Sequence, residues 1–121
     1  MSNAVTRFGT RNPTLCAVCH RQAVALGYAP KPSAPIVWLC DDHGCHGAAK
    51  KVYQMPPRIL EAYEIGAALE AGAVARRYLD EIGTTDLAAL DGQQWREFLR
   101  RMFVGFEHAL RRKIEEHEAP F

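Results

Sequence analysis

Cys16-Ala17-Val18-Cys19 and, past a proline-rich stretch, Cys40-Asp41-Asp42-His43 restrict this chain more than anything else in it. Two residues between ligands let both side chains of a tight turn face one ion, while backbone N–H groups donate to the sulfurs. Two such pairs predict a tetrahedral Zn²⁺ site made of Cys16, Cys19, Cys40 and His43. Spacing selects His43 as the fourth ligand. Thiolate chemistry selects Cys45, which is the alternative. His20 and His46 lie close enough in sequence to compete. Four protein ligands leave no position for water, so the expected role of the metal is structural, with no catalytic residue and no enzymatic activity.

The cysteines are interpreted as ligands because nothing at the N-terminus has the charged, apolar and small-residue order of an export signal. The expected location is therefore the cytoplasm, where thiols stay reduced and paired cysteines bind metal before they form disulfides. No run approaches the ~20 apolar residues needed to span a bilayer, so no membrane partner is expected.

Three zones follow one another. Residues 1–13 are polar and expected to be loose. Residues 14–55 hold all four cysteines and form the zinc-binding head. Pro30, Pro32 and Pro35 exclude a helix in its middle. Ile36-Val37-Trp38-Leu39 is a β-prone run leading into Cys40, and Gly47 to Tyr53 suits a short helix. Residues 56–121 are helical. Arg58 to Ile82 is rich in Ala, Leu and Glu, with Gly83 as its stop. Asp86 caps a short turn. Asp91 and Gln94 form a capping box that opens a helix from Gly92 to about His117. The fold class expected is mainly α with a small zinc-bound β/loop head: a treble-clef-like zinc finger followed by a two-helix antiparallel hairpin.

The last helix carries Trp95, Leu99, Met102, Phe106, Leu110 and Ile114 at steps of three and four, which makes one continuous apolar stripe. It supplies the hairpin core. Because two helices rarely bury so wide a face between them, it also points to a protein partner or a homodimer. Arg100, Arg101, Arg111, Arg112 and Lys113 alternate with glutamates and suit a solvated face.

Charge divides unevenly. Residues 1–60 hold seven Lys/Arg against two acids, and residues 61–121 hold eight against twelve. The basic half, with Arg7, Arg11, Arg21, Lys31, Lys50 and Lys51 near Tyr28, Trp38 and Tyr53, makes nucleic-acid binding the runner-up function. The first choice is a small non-enzymatic zinc-binding interaction module.

Two resemblances bear on this. Cys-x2-Cys, the proline-rich gap and Trp38-Leu39-Cys40-x2-His43 resemble small zinc ribbons and treble clefs. Together with Gly27-Tyr28-Ala29-Pro30, Asp86-Leu87-x2-Leu90, Gln94-Trp95-x2-Phe98 and Ala119-Pro120-Phe121, they resemble a family of phage and prophage zinc-binding proteins with no assigned activity. That likeness implies a phage protein acting in the host cytoplasm. Asp42-His43-Gly44-Cys45-His46-Gly47 with Lys50 and Lys51 is similar to HNH-type recombination endonucleases. The implied roles are water activation by His43 and Mg²⁺ held by His46 or Asp42. Those enzymes place a further Cys-x2-Cys after the histidines. Here no cysteine follows Cys45, so Cys40 and Cys45 would have to serve.

Overall fold

The computed structural model describes residues 14–117. The segment 1–13, with Arg7 and Arg11, and the terminal Ala119-Pro120-Phe121 lie outside the described residues.

The head begins with a tight turn. The Cys16 N–H donates to the Arg21 carbonyl (2.6 Å) and the His20 N–H to the Cys16 carbonyl (3.1 Å). His20 takes a left-handed backbone, φ 70°, which reverses the chain directly after Cys19. Two short strands follow, β1 (Leu26–Tyr28) and β2 (Val37–Leu39). They pair antiparallel, with Gly27 opposite Trp38. The β-prone run is thus a strand over its last three residues. The turn is laced to β2 by the Ala17 N–H donating to the Trp38 carbonyl (2.8 Å). The prolines occupy the connection between the strands, and the Tyr53 hydroxyl holds it by donating to the Pro35 carbonyl (2.7 Å).

Helix α1 spans His43–Gln54, one turn earlier than expected. Asp42 starts it: a carboxylate oxygen accepts from the Gly44 N–H at 2.7 Å, satisfying one of the donors that a first turn leaves open. Met55 and Pro56 then lead into α2 (Pro57–Ile82). Gly83 ends α2 in the left-handed region, φ 75°, with its N–H directed at the Leu79 and Asp80 carbonyls. A 3₁₀ turn, Leu87–Ala89, is capped by Asp86. The Asp91–Gln94 capping box opens α3 (Gly92–Glu115).

α2 and α3 pack antiparallel. Ala67, Ala71 and Ala75 are buried along α2. A methyl group on Gly105 of α3 would sit 3.4 Å from the Ala71 Cα and 3.2 Å from a Val74 methyl, so small residues on both sides set the closeness of the pair. The stripe on α3 divides. Leu110 and Ile114 are buried, Leu99, Met102 and Phe106 are half-buried, and Trp95 stands 42% exposed. The larger core cluster joins the four cysteines, Val37, Val52 and Met55 of the head to Leu60, Leu110 and Ile114 of the long helices. A smaller one around Ala75, Tyr78 and Phe98 closes the far end of the hairpin. Among the described residues, no helix is long and apolar enough to cross a membrane.

Candidate metal centre

Three pieces of backbone deliver four sulfurs to one point. The tight turn presents Cys16 and Cys19. Cys40 comes from the residue directly after β2. Cys45 comes from the first turn of α1. All four are free thiols and buried, and their sulfurs all lie within 4.8 Å of one another. The Cys19 and Cys40 sulfurs are 3.8 Å apart. A tetrahedron of Zn–S bonds of ~2.3 Å has edges of about 3.8 Å, so the cluster fits a tetrahedral ion of that size. The Val18 N–H lies 3.4 Å from the Cys16 sulfur, the backbone-to-sulfur contact that a Cys-x2-Cys turn provides. Four buried cysteines held this closely could bind a metal ion.

The fourth member of the cluster is Cys45, and His43 is not part of it. The reason is the early start of α1. The two-residue spacing of Cys40 and His43 suits a second tight turn, but capping by Asp42 makes this segment helical from His43 onward. At about 100° per residue, His43 and Cys45 then project to opposite sides of the helix. Cys45 is buried, whereas His43 is exposed with its ring against His46, centroids 5.6 Å apart. His46 supports a ligand instead of being one: its Nε2 donates to the Cys40 carbonyl at 2.8 Å. His20 faces the hairpin, with its ring edge-on to Phe106 (5.5 Å) and Nε2 3.1 Å from a Glu64 carboxylate oxygen.

Crowding divides the acidities of the thiols. Cys16 is held far below the ordinary thiol range, chiefly because the Cys19 and Cys45 thiols donate to it. Cys19 is pushed up to about 12 by the same contact with Cys16. Cys45 is pushed higher still, by its contacts with Cys16 and Cys19 and by burial. Beside the cluster, Arg111 of α3 donates to Asp42 at 2.8 Å, and the same Nη1 lies 4.0 Å from the Cys45 sulfur. The Asp42 carboxyl is held below the usual range, first by the Gly44 N–H and also by Arg111. A divalent ion with four thiolates would carry a net charge of −2, of which a neighbouring guanidinium offsets half.

No protein-family model, curated protein or solved structure matches the chain, so the geometry stands without a relative beside it.

Proposed function

We infer that this chain is a small non-enzymatic zinc-binding interaction module, its treble-clef-like head locked by a structural ion and its helical hairpin offered to a protein partner or a second copy. The carrying observation is the buried set of Cys16, Cys19, Cys40 and Cys45. Four thiolates complete a tetrahedral shell and leave no coordination position for substrate or water. Zinc is the ion that such an all-sulfur tetrahedron suits best among those without redox chemistry. A tight turn, a strand pair and a ligand in the first turn of a helix follow the order of a treble clef. The hairpin supports the second half of the inference by leaving Ile65, Leu69 and Phe103 exposed at 58%, 73% and 64%. The likeness to phage and prophage zinc proteins belongs to this proposal as its biological setting.

Two alternatives find less support. For an HNH-like nuclease, His46 or Asp42 would hold Mg²⁺. Yet one Asp42 oxygen accepts from Gly44 and the other from Arg111, and His46 is turned toward the Cys40 carbonyl. For nucleic-acid binding, Arg21 is paired with Asp41, Lys51 donates to the Glu115 carbonyl, and Tyr28 and Tyr53 rest on each other.

Native mass spectrometry tests the inference, together with far-UV circular dichroism before and after chelation. One zinc per chain is expected, with loss of the head's ordered signal when the ion is stripped, because binding energy at such a site is folding energy. A chain that keeps its fold with no ion bound would overturn it.

A further inference from the structure

On the hairpin, between α2 and α3, the two helices leave a cleft of about 460 Å³. Its apolar floor includes Val74, Val104 and Gly105, and its rim carries Arg77, Arg100, Arg101 and Arg112 with His108 and one carboxylate, Glu70. The half of the chain that contains it is acidic overall, so this gathering of guanidinium groups is local. The carboxylates nearby do not balance it. Arg100 and Arg101 share Glu97, and Arg101 also reaches Glu81. Arg112 and Lys113 share Glu70. Arg77 has no ion pair among the described residues. The four guanidinium groups of the rim thus stand against three carboxylates.

The geometry points to a binding site for a small organic phosphate in this cleft. Guanidinium groups present planar, paired N–H donors that match a phosphate bidentately, and they keep their charge at every physiological pH. Arg77 supplies uncommitted donors. Arg100 and Arg112 are surface side chains, 60% and 49% exposed, within reach of the cleft as well as of Glu97 and Glu70. The valine-lined floor takes the apolar body of the ligand, for which an inorganic anion has no use. A volume of this order holds a molecule of nucleotide size and is typical of small-ligand sites. Neither the floor nor the rim includes a cysteine.

Isothermal titration calorimetry on the full chain tests this with three probes: inorganic phosphate, adenosine monophosphate and a single-stranded oligonucleotide. Saturable binding of the mononucleotide is expected, tighter than that of phosphate and weaker at higher salt. Arg77→Glu should weaken it by at least about tenfold, the effect of losing a charge-assisted contact. Arg58→Glu makes the same charge change outside the cleft and should leave it intact. Both variants alter exposed side chains, and an unchanged melting temperature confirms that they fold. The proposal is overturned by no saturable binding, by phosphate and mononucleotide binding equally (an adventitious ion only), or by binding of the oligonucleotide alone. Equal losses in the two variants would also overturn it.

Discussion

Arg111 reaches across from the last helix to Asp42, 2.8 Å away, and its Nη1 also stands 4.0 Å from the Cys45 sulfur. One guanidinium thereby holds the residue that starts α1 and faces a candidate metal ligand within α1. Arg111→Ala would leave the Asp42 carboxylate without its charged partner and one sulfur less compensated. Its side chain is only 19% exposed, so the expected cost is about 1.5–3 kcal/mol, as for other hydrogen bonds to charged groups. Arg112→Ala removes a neighbour whose side chain is 49% exposed and should cost at most about 1 kcal/mol. Urea midpoints and the rate of zinc loss to a chelator compare the two. Equal effects would mean that Arg111 does nothing for the head beyond what a surface charge does.

Ligand identity can be read by substitution. Cys45→Ser should reduce the zinc recovered per chain, because it removes one sulfur of the cluster. His43→Ala should leave the count at one, since His43 is exposed outside it. Native mass spectra of both proteins check this, and the opposite pattern would assign the fourth position to His43.

Metal affinity should rise with pH. In the metal-free head Cys19 is pushed up to about 12 and Cys45 beyond it. Both therefore carry protons near neutrality, and an incoming ion must displace them. Each displaced proton makes apparent affinity rise by about tenfold per pH unit. Zinc competition at pH 6, 7 and 8, with an indicator dye counting released protons, measures the slope. A flat response would count against protonated thiols in the free site.

Gly83 sits at φ 75° where α2 ends. Gly83→Ala forces a Cβ into the left-handed region at a cost of about 1–2 kcal/mol, a fall in melting temperature of about 4 °C or more. Thermal denaturation checks it. Gly72→Ala, at an exposed helical position with open space around it, should move the other way through better helix propensity.

Features fixed by local chemistry were legible in the sequence. The Asp91–Gln94 box and the Gly83 stop depend only on neighbours along the chain, and both form as expected. The pairing of sulfurs across the proline-rich segment was also legible, because few other arrangements explain Cys-x2-Cys followed by a second cluster. The choice between His43 and Cys45 was not. It depends on helical phase, and Gly44 and Gly47, both poor helix formers, hide the start that Asp42 imposes. β1 was equally hidden: Leu26-Gly27-Tyr28 has little strand character of its own and exists because β2 lies beside it. The arginine-rimmed cleft is hidden in the sequence for a third reason. Along α3 the charges alternate and look solvated, but Arg101 meets Glu81 and Arg112 meets Glu70 only when α2 folds back.

Only Met55 and Pro56 separate α1 from α2, and Met55 is 1% exposed. A joint this short, with its side chain seated in the shared interior, is a rivet and not a hinge. The two halves should tumble with a single rotational correlation time. Severing the chain at this point would strip both of their common interior, so neither half is expected to survive as an independently folding fragment.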